Sequence, residues 1–194
     1  MMFFPYNRQK KVEFTVPRET QENLLLETRI LRMVKKVYEG GMERVYLEHP
    51  GAVTIVATTP DDQLLLIKQF RAPAREWLWE IPAGTLEPRE DPLKCAQREL
   101  EEETGFVSPE WNYLFPVFLA PGYSSEIIHF FRARNVTPVE NAREGDQDEV
   151  IYYLAVNREE ALEMLKNGEI RDAKTMIGIY IFLEDHNANL HSSP

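Results

Sequence analysis

The stretch from Gly84 to Phe106 constrains this chain more than any other part of it. It reads Gly84, five residues, Glu90, seven residues, then Arg98-Glu99-Leu100-Glu101-Glu102-Glu103-Thr104-Gly105-Phe106. Asp91 is a good N-cap, and Pro92 suits the first helical position, where its missing N–H would be unpaired anyway. Gly105 supplies the left-handed stop expected just past the last turn. These signals predict a helix over 92–104, with Leu93, Ala96 and Leu100 as its inward stripe. Glu99, Glu102 and Glu103 then fall at i, i+3 and i+4, so their carboxylates share one face. Like charges at that spacing repel, and a hard cation between them is the obvious reason to gather them. A merely solvated acidic face is the plainer alternative. Glu80-Ile81-Pro82-Ala83 reads as a strand end, so strand, loop and helix form one platform for the acids.

The remaining chain reads as a succession of strands and then helices. Residues 10–17 and 30–38 are predicted strands. Glu39-Gly40-Gly41 is a hairpin turn leading into a strand over 42–48. His49-Pro50-Gly51 marks a boundary. Strands over 52–58 and 63–69 flank a Thr59-Pro60-Asp61-Asp62 turn. Residues 111–119 and 127–135 form a second hairpin around 120–126, and 150–156 is another strand. Asn157 caps a helix over 158–166, with Glu159 and Glu160 where the helix dipole favours them. A second helix is expected over 172–183, followed by a disordered tail. The expected class is α+β, an α/β/α sandwich with a mixed central sheet and an N-terminal antiparallel β-extension. Its parts are an extension over 1–49, a main domain over 50–185 and a tail over 186–194.

Composition narrows the function classes. Lys and Arg number 22 against 32 acids, for a net charge of −10. That argues against a nucleic-acid partner, although an acidic protein binds an anionic substrate when cations mediate. The single Cys95 excludes an intrachain disulfide and suits a reducing compartment. His49, His129, His186 and His191 are scattered, with no zinc-type spacing. The Met1-Met2-Phe3-Phe4 start lacks the form of a signal peptide, and no long apolar run exists, so a cytoplasmic location without membrane association is expected.

The Gly84–Phe106 pattern resembles the signature box of the Nudix hydrolases, with every defined position filled and Leu100 and Phe106 at the two hydrophobic ones. The resemblance covers roughly residues 50–185 and implies hydrolysis of a nucleoside diphosphate linked to another moiety. It implies Mg2+, or Mn2+ in its place, held by Glu99, Glu102, Glu103 and the Ala83 carbonyl, with Glu102 and Glu103 also catalytic. Glu90 and Arg98 would be a supporting ion pair. That chemistry agrees with the residues, since magnesium prefers oxygen ligands and neutralises a dense anion such as pyrophosphate.

Three further features resemble the ADP-ribose pyrophosphatase branch. Pro121 lies 15 residues beyond Phe106. The loop Ala120-Pro121-Gly122-Tyr123-Ser124-Ser125-Glu126 would bring Glu126 to the terminal ribose. Ile67-Lys68-Gln69-Phe70-Arg71, followed by Trp79-Glu80-Ile81-Pro82-Ala83-Gly84, would bring Arg71 to the diphosphate. The branch also implies a homodimer with an exchanged N-terminal sheet, Arg44 reaching the partner's site. A water-activating acid is expected in the loop before the last strand, where Asp146 stands in the usual glutamate's position and Asp148 and Glu149 are alternates. Tyr123, Trp77 and the N-terminal aromatics are open candidates for stacking on a base. The alternatives are the same chemistry on GDP-mannose, another nucleotide sugar or a nucleotide cofactor, and a nucleotide-binding sensor without turnover.

Overall fold

The structure, a computed structural model, describes residues 15–140, 142 and 152–190. A three-stranded antiparallel sheet comes first: β1 (Glu19–Glu27), β2 (Arg32–Tyr38) and β3 (Met42–Glu48), in that spatial order. Here the expectation for 10–17 needs correction. Its described part, residues 15–17, carries no strand, and the first strand is β1. Every residue of β1 is exposed, so no inside–outside alternation exists for the sequence to record. The strand also takes two register irregularities against β2.

The main sheet contains β4 (Ala52–Thr58), β5 (Leu64–Arg71), β6 (Glu76–Glu80), β7 (Ala83–Thr85), β9 (Glu110–Phe118), β10 (Ile127–Arg134) and β12 (Tyr152–Val156). Its order is β12-β5-β4-β10-β9, with β6 on β5 and β7 on β4. β8 (Phe106–Val107) and β11 (Thr137–Pro138) form a small separate ladder. The sheet is mixed, since β10 runs parallel to β4 and antiparallel to β9. Three helices, α1 (Pro92–Thr104), α2 (Arg158–Lys166) and α3 (Ala173–Leu190), complete the described elements. α3 reaches Leu190, beyond Leu183 and into the segment expected to be disordered.

β4 divides the core. Val53, Ile55 and Ala57 pack with Cys95, Ala96 and Leu100 of α1, whereas Ala52 and Val56 pack with Ile179 and Phe182 of α3. Successive side chains point to opposite faces, so a strand covered on both reads as a near-continuous apolar run. The helix layers thus sit on opposite faces of one sheet. Leu93, expected to point inward on α1, is 36% exposed, and Cys95 occupies the core instead.

What positions the site is a splay in this sheet. β4 and β5 leave their connecting turn paired only at Thr58 and Leu64 and then separate. The β6–β7 segment fills the gap: β6 pairs β5 from Ile67–Glu80 outward, and β7 pairs β4 at Thr54–Ala83. The Pro82 carbonyl accepts from Ile55 N–H at 2.8 Å and Thr54 Oγ1 at 3.1 Å, locking this crossing to the central strand.

Candidate active site

A cavity of about 990 Å3 opens at the splay, walled by β5–β7, the last turns of α1, the start of α3 and the 120–126 loop. Its lining includes seven carboxylates against three cationic side chains, so an anionic ligand would meet a repulsive wall without a bound cation.

α1 delivers the acids. Asp91 Oδ1 accepts from Leu93 N–H at 3.0 Å and Lys94 N–H at 3.2 Å, fixing where the helix begins. Gly105 adopts φ 72° and its N–H closes the last turn onto the Glu101 carbonyl. Between these stops, Glu99, Glu102 and Glu103 all face the cavity. Glu103 Oε2 accepts from Ala83 N–H at 2.9 Å, fastening the last turn of the helix to β7. Glu99 lies over Gly84: a Cβ there would stand 1.9 Å from its Cδ and 2.0 Å from its Oε1. Any side chain at this position would have to push the carboxylate above it aside.

Arg98 is the hub beneath this layer. It donates to Glu90 through Nε at 3.1 Å and Nη2 at 3.2 Å, while Nη1 lies 2.8 Å from Glu99 Oε1 and 2.9 Å from Glu102 Oε2. Glu90 also accepts from Glu87 N–H at 3.0 Å, so the loop and helix are joined at one guanidinium. Arg98 holds the Glu90 carboxyl below the usual carboxylate range, and burial pushes the neighbouring Cys95 thiol up. The expected Glu90–Arg98 pair is present, and Arg98 extends it to two of the three stripe acids.

Among the described residues, no three acids or histidines converge as a ready-made cation cage. Arg98 engages two of the carboxylates and the Ala83 amide engages the third. The donor set nevertheless fits a hard divalent ion, because it offers oxygen alone and Gly84 leaves backbone open directly below Glu99. A cation arriving there would compete with Arg98 for Glu99 and Glu102.

Other expected residues divide between cavity and surface. Arg71 lines the cavity but is committed along one edge, its Nε and Nη2 each donating to Glu80 at 2.7 Å. Glu126 also lines it. Its loop is stitched to the end of β3: Leu47 N–H donates to the Tyr123 carbonyl, Ser125 N–H to the Leu47 carbonyl, and His49 N–H to Ser125 Oγ. Arg44 is exposed, donates to the Glu43 carbonyl and does not line the cavity. Trp77 stands off the cavity wall, 5.8 Å from Phe70 and 6.3 Å from Tyr152 between ring centres, and Tyr123 is also absent from the lining. Asp146, Asp148 and Glu149 lie outside the described residues.

Sequence reasoning missed Glu80, Asp172 and Lys174, which share the cavity wall. Glu80 was legible only as a strand end, and Lys174 lies 94 residues from it. Burial alone would raise the Glu80 carboxyl, but Arg71 and Lys174 outweigh it and hold it below its ordinary range.

Comparison with known proteins agrees with this architecture. Residues 48–179 match the NUDIX domain. An ADP-ribose pyrophosphatase of Bacillus subtilis (strain 168) is 39% identical over 144 residues, covering 74% of this chain and 78% of the relative. A GDP-mannose pyrophosphatase of Escherichia coli (strain K12) is 34% identical over 173 residues, covering 84% and 85% respectively. A crystal structure of an ADP compounds hydrolase superposes with a TM-score of 0.75 at 22% identity, covering 92% of this chain and 98% of that one, and supports the fold. With the complete acidic box on α1 and relatives that align across most of the chain, the protein belongs to the Nudix hydrolases.

Proposed function

We propose that this hydrolase cleaves the diphosphate of ADP-ribose to AMP and ribose 5-phosphate, with Mg2+, or Mn2+ in its place. The observation that carries the proposal is the carboxylate stripe of α1 facing Ala83-Gly84 inside an acid-lined cavity, in a chain 39% identical to an ADP-ribose pyrophosphatase. Glu99, Glu102, Glu103 and the Ala83 carbonyl would hold the metal. A divalent ion bound there supplies charge neutralisation for the diphosphate and acidifies a coordinated water. Arg71 grips the diphosphate by charge-assisted hydrogen bonds, and Glu126 accepts from a hydroxyl of the terminal ribose. Glu90 and Arg98 hold the loop against the helix. Asp146, Asp148 and Glu149 are the candidates for taking the proton from the attacking water.

In this reading the protein is a cytoplasmic homodimer with no nucleic-acid or membrane partner. No described helix is long and apolar enough to cross a membrane. Support for the dimer comes from β1, wholly exposed with Leu24, Leu25 and Leu26 at about half their free surface. A partner's cavity is the destination proposed for Arg44, and sedimentation analysis gives the stoichiometry directly.

Product chromatography on a panel of ADP-ribose, GDP-mannose and other nucleoside diphosphate derivatives, with and without Mg2+, tests the substrate. Preference for GDP-mannose would favour the second reading, which the E. coli relative supports over a longer stretch of the chain. Glu102→Gln and Glu103→Gln should each abolish turnover while leaving the melting temperature within a few degrees. Undiminished activity in both would refute the assignment of the stripe.

A further inference from the structure

Behind the cavity rim, a largely buried histidine faces the Glu126 carboxylate. His49 lies between β3 and β4, its side chain 11% exposed, and it is not part of the cavity lining. The Gly51 N–H donates to His49 Nδ1 at 3.1 Å. Accepting that bond takes the Nδ1 lone pair, so the ring carries its hydrogen on Nε2. Nε2 lies 3.9 Å from Glu126 Oε1, and among the described residues no other side chain pairs with that carboxylate.

The ring is held from both sides. Gly51 adopts φ 107°, and a Cβ there would stand 3.0 Å from Leu86 Cδ1 and 3.4 Å from the Ile127 carbonyl oxygen. The Gly51 carbonyl accepts from Leu86 N–H at 3.0 Å, and His49 N–H donates to Ser125 Oγ at 3.0 Å. Residues 49–51 are thus pinned between the loop after β7 and the loop that carries Glu126. Glu126 itself keeps 27% of its side chain exposed and lines the cavity. One oxygen of such a carboxylate is free to accept from a ligand hydroxyl while the other accepts from the fixed ring N–H. The Nε2–Oε1 separation is about 1 Å beyond hydrogen-bond length. Hydrogen bonds in a site are often long before the ligand arrives and tighten in the complex.

We propose that His49 is a positioning residue for the terminal sugar: its Nε2–H holds one oxygen of Glu126 so that the other is presented to a ribose hydroxyl. This rests on the reading of Glu126 as the ribose contact. His49 acts through Glu126 and does not itself touch the substrate, so its loss reads out in KM ahead of kcat.

The test is steady-state hydrolysis of ADP-ribose at saturating Mg2+ by the full chain and its variants, with ADP, which lacks the terminal ribose, as a competing inhibitor. Two replacements separate holding the carboxylate from closing the 49–51 turn. Asparagine keeps an acceptor near the Nδ1 position but lacks the reach of Nε2, whereas glutamine places an N–H near Nε2 and loses the Nδ1 acceptor. His49→Asn should raise KM about fivefold, with kcat within about twofold and Ki for ADP unchanged. His49→Gln should keep KM within about twofold of wild type. The pair His49→Asn/Glu126→Ala should match Glu126→Ala alone. A wild-type KM in His49→Asn, an equal rise in both His49 replacements, or a parallel rise in Ki for ADP overturns the proposal. Wild-type KM in Glu126→Ala would overturn the reading of Glu126 and this proposal with it. A rise in KM for Glu126→Ala without one for His49→Asn would sink the proposal alone. If His49→Asn does not fold, 15N imidazole spectra of the wild-type chain, assigned with His49→Gln, decide the matter. His49 should report hydrogen on Nε2, and its Nε2 signal should move with ADP-ribose added without metal but not with ADP. The opposite tautomer, or a signal indifferent to ADP-ribose, overturns the proposal.

Discussion

Replacing Gly84 by alanine separates the metal-holding role proposed for Glu99 from its structural setting. The backbone at Gly84 is not in the left-handed region, so alanine carries no conformational penalty there. The added methyl instead strikes the Glu99 side chain, with its carbon 1.9 Å from Cδ. Restoring an ordinary contact of 3.4 Å displaces that carboxylate by about 1.5 Å. The far end of a glutamate moves readily, and its partner Arg98 keeps Glu90 and Glu102. The stability cost should therefore stay below about 1 kcal/mol, a shift of roughly 2–4 °C in melting temperature. Displacing a catalytic group by about 1 Å costs on the order of 100-fold, so Gly84→Ala should lose at least about 100-fold in kcat/KM. The assays are thermal melting and ADP-ribose hydrolysis across a Mg2+ titration, where added metal should recover part of the loss. Activity within about threefold of wild type would refute the claim that Glu99 must occupy the space above Gly84. A collapse in melting temperature would show instead that the glycine serves the fold.

Two further outcomes follow from the same geometry. Arg98→Met removes the cation shared by Glu90, Glu99 and Glu102, and should cost about 2 kcal/mol, or roughly 4–8 °C in melting temperature. Because a divalent ion would then relieve three clustered carboxylates, Mg2+ should raise this variant's melting temperature more than wild type's; an equal rise would contradict the account. For pH, Glu80 and Glu90 titrate in the folded protein below their ordinary range. Their stabilisation is thus complete above about pH 4.5 and lost as pH falls through the folded values, so the urea midpoint should drop there. Glu80→Gln should flatten that drop, and an unchanged profile would show that the buried carboxylate is not its source.

The parts of the molecule legible in the sequence are those whose determinants are local or periodic. α1 was bounded to the residue because Asp91, Pro92 and Gly105 each act within one turn, and the direction of Glu99, Glu102 and Glu103 follows from helical spacing alone. β4 was legible because a strand covered on both faces is written as a near-continuous apolar run, here broken inside only by the buried Thr54. β1 was not, since a strand exposed along its whole length leaves no pattern of burial. The cavity wall was half legible: Arg71 was named, but its carboxylate and the lysine that shares it meet only through a β-strand packing on a helix 94 residues away. The acids themselves were found, while their engagement by Arg98 required the side-chain geometry.

The seam between Leu47 and Ser125 joins two regions that a domain boundary at His49 would treat as separable. Backbone pairing there and the His49 N–H bond to Ser125 Oγ make the end of β3 a fourth side of the loop that carries Glu126. Trimming the chain back to residue 50 would cut through that bonding, and the truncated protein would lose the support of its Glu126 loop along with the appended sheet.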